Sequence, residues 1–250
     1  MKIKPWIWKS LSVFIALGLW QIMALTFGID YLLASPLQTL VKLYESVCES
    51  GFWFTVFQSF WRITAGFIIA FVLGIILAAL AAKYKLVESF LWPYMITVKT
   101  VPVASFIVLA LILLSSDNLS MLTAAIIALP IIYNNVLTGI KGVDTKMLDM
   151  AKVFNLSESK VIKYIRLPAV KPYIISSSNT AIGMAWKAGI AAEIIGIPKN
   201  SIGFEMYLSK VNIDSADLFA WTAVVVFVSV MFEKLFVALL KFAFKSLERH

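Results

Sequence analysis

Cysteine and histidine are almost missing: Cys48 is the one cysteine, and the one histidine is the last of 250 residues, His250. An internal disulfide is impossible, and a zinc cluster or a histidine-based metal or catalytic centre is excluded. Charge is also scarce, at 14% of residues against 61% hydrophobic, and the mean hydropathy is +0.89. No GxxxxGK[ST] phosphate loop occurs, so the chain offers no nucleotide site of that kind. Internal repeats and low-complexity segments are absent too.

What the sequence has instead is a series of apolar runs near the length that crosses hydrocarbon, about 20 residues. They predict an all-α polytopic membrane domain, because only closed hydrogen-bonding structures cross a bilayer. Six spans are expected, at about 11–28, 60–82, 91–114, 119–140, 173–196 and 218–240. The basic start "MKIKPWIWKS" leads into a run that is long for a signal peptide and is followed by no small-x-small cleavage site, so an uncleaved first span is expected. In the first loop, Ser35 and Pro36 mark entry into a short amphipathic helix, lying on the membrane surface or against the bundle.

The 22 Lys and Arg against 14 Asp and Glu would suggest nucleic acid in a soluble protein. Here the cations sit mainly in loops, and they report topology instead. With the N-terminus inside, Lys2, Lys4, Lys9, Lys83, Lys85, Lys141, Lys146, Lys152, Lys160, Lys163, Arg166, Lys171, Lys241, Lys245 and Arg249 all fall on the cytoplasmic side. The other side holds Lys42, Lys199 and Lys210, with Arg62 near a boundary. Both termini are therefore expected in the cytoplasm, together with the large loop 141–172.

Within that loop Met147, Leu148, Ala151 and Phe154 share one helical face, which is expected to end near Asn155, a residue that tolerates the left-handed conformation. Ser157 is a plausible N-cap, without a full capping box because Lys160 stands three residues on. A second helix, presenting Val161, Ile162 and Ile165, is expected to run to about Arg166 and stop before Pro168. By spacing alone this unit is either a docking surface or a solvated connector.

The stretch "DMAKVFNLSESKVIKYIRLP" resembles the EAA motif of ABC-type importer permeases: Glu-Ala-Ala, three residues, Gly, nine residues, then Ile, any residue, Leu-Pro. Asp149, Met150 and Ala151 stand at the first three positions, Asn155 at the glycine, and Ile165, Leu167 and Pro168 close the pattern. Asp keeps the charge, Asn keeps access to the left-handed turn, and Met is larger but still apolar. "ASPLQTLVKLYES", "SFWRITAGFIIAFVLGIILA", "PYMITVKTVPVASFIVLALIL" and "IGMAWKAGIAAEIIG" extend the resemblance to the nitrate, sulfonate, taurine and bicarbonate branch of these permeases.

The resemblance implies a six-helix type I ABC importer transmembrane domain in a bacterial cytoplasmic membrane. It also implies a second permease copy, an ABC ATPase dimer that hydrolyses ATP in place of this chain, an extracytoplasmic solute-binding protein, and no cofactor. The loop would then couple to the ATPase, with Ala151 allowing close approach and Phe154 and Leu156 as apolar contacts. The cargo would be a small anion such as a sulfonate, nitrate or bicarbonate, or a small heterocycle such as a pyrimidine vitamin precursor.

Ionisable residues inside a span cost roughly 2.5–3.5 kcal/mol each on insertion scales and call for a function or a partner. Lys187 and Glu193, with Trp186 beside the lysine, fall in the fifth span. They either line a translocation path or, for Lys187, snorkel or pair across a subunit interface. Pro102, near Lys99, breaks the third span and is a further path candidate. Pro130 is expected to kink the fourth span, with Asn134 and Asn135 bonding between helices. The serines, alanines and glycines of the fifth span predict close helix packing near a two-fold axis or inside the subunit. A membrane enzyme lacks a convergent catalytic set. An ATP-independent channel or secondary transporter would leave the EAA-like loop without a role.

Overall fold

The computed structural model describes residues 5–27 and 33–249. The chain folds there into helices: α1 (Pro5–Phe27), α2 (Pro36–Cys48), α3 (Phe52–Lys83), α4 (Lys85–Thr100), α5 (Val103–Leu113), α6 (Ser116–Lys141), α7 (Thr145–Val153), α8 (Glu158–Val161), α9 (Leu167–Gly196), α10 (Ile202–Val211) and α11 (Ser215–Arg249). A π-helical turn, Ile162–Arg166, joins α8 to α9. Lys2 and Lys4 of the basic start lie outside the described residues.

Among the described residues α3, α6 and α11 are long and apolar enough to cross a membrane, and α4 with α5 qualifies as a bent pair. A shorter apolar stretch, Leu11–Thr26, lies within α1. The 30 residues of α9 make a rod of about 45 Å, ample for a hydrocarbon core of about 30 Å. It does not qualify as a span by hydropathy, because Ser176, Ser177, Ser178, Asn179, Thr180, Lys187 and Glu193 all fall inside it.

Sequence pattern explains most boundaries. Ser35 opens α2 with a reciprocal capping box: its Oγ accepts the Gln38 N–H at 3.3 Å while Gln38 Oε1 accepts the Ser35 N–H at 2.7 Å. Gly51, at φ 112°, supplies the left-handed residue between α2 and α3. The following helix starts at Phe52 rather than near residue 60, because Trp53, Phe54, Phe57 and Trp61 extend it with an outward aromatic face. The stretch expected as one span over 91–114 is two helices meeting at 107°. Pro102 holds Val101 in extended backbone (φ −69°, ψ 129°), so the helical ladder stops at Thr100 and restarts at Val103.

The core is built around α6, which packs along α3 on one side and α9 on the other. Ile63, Phe67, Ala124, Ala128, Ile132, Ile182 and Trp186 are among its buried side chains. Gly66 brings α3 against the backbone of α6, where an added Cβ would strike the Met121 carbonyl. Gly189 similarly admits Ile63, whose Cγ1 would lie 2.7 Å from a Cβ there. Phe67 packs edge-on against Phe232 and Phe236 at 5.8 and 5.0 Å, tying α11 to α3.

α1 stands apart from this core. It touches α11 through Trp20 and Phe219, whose rings are 5.2 Å apart, and the Trp20 indole donates to the Ala34 carbonyl at 3.1 Å. Between α1, α2 and α11 runs an apolar groove of about 1360 Å³.

Gly66→Val is expected to destabilise the purified protein by about 1–3 kcal/mol, since overpacking against backbone has no rotamer to relieve it. Gly18→Ala, where an added Cβ meets nothing within 4 Å, should leave stability unchanged or raise it by up to about 1 kcal/mol from helix propensity. Thermal unfolding of the two variants in one detergent measures the contrast.

Candidate functional site

Two regions carry the polar and exposed features that the core does not explain. The first is the hairpin that follows α6. Asp144 caps α7 by accepting the Lys146 N–H at 2.9 Å. After Val153 the chain reverses: Asn155 is left-handed at φ 48°, and the Leu156 N–H reaches back to the Ala151 carbonyl at 2.9 Å. Ser157 then stands at the N-cap of α8 without a side-chain hydrogen bond.

The second helix of the hairpin does not stop before Pro168, as the proline suggests, but passes through the π-helical turn into α9. There the Leu167 N–H bonds to the Ile162 carbonyl, five residues back. The wider turn makes room for a proline ring that would press on the carbonyl four residues back in a regular helix. Pro168 and Pro172 thus lie inside one continuous helix.

Ala151 is 2% exposed and sits with Val143, Val161 and Ile165 in a small core of the hairpin's own. Its small size therefore serves closure of the two arms on each other. Asp149 points outward and pairs with Lys152 at 2.9 Å, and Arg166 pairs with Glu158 at 3.1 Å. Met150, Leu156, Val153 (78% exposed) and Phe154 (70% exposed) present apolar surface to the outside. Met150 can replace the motif's alanine because that position is not part of the hairpin's core. At the foot of the hairpin Lys141 pairs with Glu88 of α4 at 2.6 Å, and Tyr173 of α9 packs on Gly139 of α6.

The second region is α9. Ser176, Asn179, Thr180, Met184 and Lys187 are exposed at spacings of three and four, forming one stripe, with Gly183 opening it further. Among the described residues no carboxylate pairs with Lys187. Trp186 points the other way, 1% exposed, with its ring 6.1 Å from Phe60. Pro102 is exposed at the α4–α5 bend. Asn134 and Asn135 do not bond between helices; their amides donate to the Pro130 and Ile131 carbonyls one turn back in α6. A short amide chain finds its own helix's carbonyls within reach.

Glu193 does not join Lys187. Its carboxylate is 0% exposed, and Oε2 accepts the Ser59 hydroxyl at 2.7 Å and the Gly203 N–H at 3.2 Å. Ser59 Oγ in turn accepts the Ile202 N–H at 2.8 Å. The carboxylate therefore occupies the N-terminus of α10, where free N–H groups and the helix dipole favour an anion. Gly203 permits this approach, since a Cβ there would overlap the Glu193 side chain and backbone. One turn along α3, the Arg62 guanidinium binds Asp117 of α6 at 3.2 Å.

Ser59, Gly203 and the Arg62–Asp117 pair were not legible as site residues. The available signal was indirect: a carboxylate inside an apolar run needs donors, and one arginine lies near a span boundary.

The family described as binding-protein-dependent transport system inner membrane component matches residues 70–249. The SsuC permease protein of Bacillus subtilis (strain 168), named for aliphatic sulfonates transport, is 29% identical over 196 residues, covering 76% of this chain and 70% of that protein. The nitrate import permease protein NrtB of Synechocystis sp. is 29% identical over 206 residues, 78% of this chain and 74% of its own length. The bicarbonate transport system permease protein CmpB of Synechococcus elongatus is 29% identical over 155 residues, 61% of this chain and 55% of its own.

Beyond the Glu193 end of α9, α10 and the start of α11 form an acidic corner. The Ser209 hydroxyl donates to Asp217 Oδ2 at 2.5 Å. Burial, and then the charges of Asp217 and Glu49, push the Glu205 carboxyl above its ordinary value of 4.5. A raised carboxyl means that the folded state holds its proton at pH values where the unfolded chain has lost it. Glu205 therefore favours folding less as pH rises from 4.5 through its raised value, and the penalty is complete above that value. Glu205→Gln is expected to raise the unfolding temperature at pH 7 and to flatten the loss of stability between pH 5 and pH 7. Thermal unfolding across that range checks it, and an unchanged profile would contradict the assignment.

Proposed function

Because this chain belongs to the family of binding-protein-dependent transport system inner membrane components, an ABC importer permease of the nitrate, sulfonate and bicarbonate branch, we propose that it forms the translocation path for a small anion. Each cycle draws on ATP hydrolysed by a separate ABC ATPase seated on the hairpin Thr145–Val153 and Glu158–Val161. The observation that carries the coupling reading is the hairpin itself. It closes on its own small core yet leaves Phe154, Val153 and Met150 outside. A solvated connector has no use for such a surface, whereas a rigid element with an aromatic tip fits a hydrophobic groove of a partner.

Loop charge supports placing the hairpin, α1's start and α11's end in the cytoplasm. The path reading is supported by the exposed stripe of α9. Ser176, Asn179, Thr180 and Lys187 would be poorly solvated in hydrocarbon, so this side of α9 faces water or a second copy of the chain. In a two-fold permease both are satisfied when the α9 helices face each other across the path. Lys187 then supplies the positive charge that draws an anion inward. Trp186 and Glu193 stand behind that surface as support. A solute-binding protein delivers cargo at the opposite face, and its docking and ATP-driven closure favour different states of the bundle.

Phe154→Ala is expected to weaken association with the co-purifying ATPase by about 10–30-fold, the usual cost of losing an interface aromatic anchor. Pull-down from native membrane at graded detergent dilution measures it. A stable complex with no ATPase, together with full transport in Phe154→Asp, would sink the coupling reading.

Lys187→Met is expected to reduce anion uptake into proteoliposomes by about tenfold while leaving the complex assembled, and Lys187→Arg to retain most of the rate. Equal uptake by wild type and Lys187→Met would remove Lys187 from the path.

A further inference from the structure

The node at Glu193 joins three elements. Its carboxylate belongs to the last turn of α9, its hydroxyl partner Ser59 to α3, and its amide partners Ile202 and Gly203 to α10. Nothing in the path or the hairpin requires this arrangement, and an apolar side chain would fill the same space without the cost of a buried carboxylate. The connection between α9 and α10 is strained as well. Ile197 and Asn200 are left-handed at φ 53° and 54°, and a β-branched residue is rarely held there. Such a turn persists where its surroundings over-determine it. Here the Ile197 N–H caps α9 at the Glu193 carbonyl at 2.8 Å, and Ser201 caps α10 by accepting the Phe204 N–H at 3.0 Å. Glu193 thus holds α10 by its side chain and the turn by its backbone.

The other end of α9 is the hairpin, reached without a break through the π-helical turn. One helix of 30 residues therefore has the hairpin at its start and α10 clamped to its end.

We propose that Glu193 is a positioning residue that makes α10 move with α9, so that displacement of the hairpin is delivered to the opposite face of the bundle. This rests on the importer reading above. Ser59 is the releasable partner: it holds the pair against α3 in the state described here, through one hydroxyl that accepts from Ile202 and donates to Glu193. Gly203 lets α10 approach this closely, because the Glu193 Cβ and the backbone that follows it occupy the space that any side chain at 203 would need.

The test uses the permease purified with its ATPase in lipid nanodiscs and proteoliposomes. Cys48→Ser removes the native cysteine, and spin labels are placed at Lys210 of α10 and Phe57 of α3, both exposed. The wild-type label distance is expected to be narrow and to shift on ATP binding. In Glu193→Ala the distribution broadens and ceases to respond to ATP. Uptake falls by about tenfold, the upper range for single-site coupling losses, while basal ATP hydrolysis stays within about twofold. Glu193→Gln, which keeps an acceptor for Gly203, retains the narrow distribution, and Ser59→Ala broadens it.

Wild-type uptake in Glu193→Ala, or lost uptake with a label distance that still responds to ATP, would overturn the proposal. If Glu193→Ala does not assemble, Ser59→Ala decides by the same two readouts: a narrow, responsive distance overturns it. Failure of the importer reading is seen separately, as absence of any ATPase in the preparation. The broadening in Glu193→Ala and Ser59→Ala is measurable on the permease alone in that case.

Discussion

A carboxylate inside hydrocarbon must find its hydrogen bonds within the protein, and one end of this bundle is organised by that requirement. Glu193 takes them from Ser59 and from the N-terminus of α10. The close approach of α10 to the end of α9 dictates much around it: a glycine at 203, because a Cβ there would strike the Glu193 Cβ and the backbone that follows it; a serine at 59, because one hydroxyl must both donate and accept; and a tight left-handed turn to bring α10 back over the end of α9. Free N–H groups at a helix start usually go to a capping side chain, and Ser201 supplies one here. Glu193 and Ser59 satisfy the two donors before the Phe204 N–H, those of Gly203 and Ile202, from outside the helix, so α10 is fixed by three acceptors.

The opposite end of α9 solves a different problem. Two prolines, Pro168 and Pro172, fall where the chain must enter the bundle as a helix. Each removes a backbone donor, and the first would press on the turn before it. Widening that turn to the π form keeps the helix continuous. The result is a direct mechanical line from the hairpin's core of Ala151, Val161 and Ile165 to the interior of the bundle. Tyr173 seated on Gly139 braces that line against α6, and the Lys141–Glu88 pair braces α6 against α4.

The fold class was legible because apolar runs of membrane length leave few alternatives. Ser35 and Pro36 marked α2 correctly, since a capping box and a first-turn proline are local signals. Pro102 marked a break but not its angle, which depends on how α5 lies against α6 and α9. Pro168 misled, because the local rule that a helix stops before proline says nothing of the π-helical turn that accommodates it. Lys187 and Glu193 looked alike in the sequence, two charges in one apolar run. One is exposed and the other buried only because a separation of six residues leaves them about 120° apart around the helix, and no local signal says which side the neighbours occupy. The partners of Glu193 come from positions 134 and 10 residues away in sequence, beyond the reach of pattern reading.

On the proposed path a lone lysine has a physical advantage over a dedicated anion pocket. Conduction requires a site that favours entry yet releases what it holds. A buried anion site, with several backbone donors and a helix N-terminus, would retain the cargo. The chain does build such a site, but fills it with its own Glu193, so the strongest anion-binding geometry near this end of the bundle is already occupied. What faces outward on α9 is a single flexible ammonium among hydroxyls and an amide, able to attract by charge while offering no fixed cradle. On this proposal strong binding is left to a solute-binding protein outside the membrane, and the permease keeps its tight contacts for holding helices together.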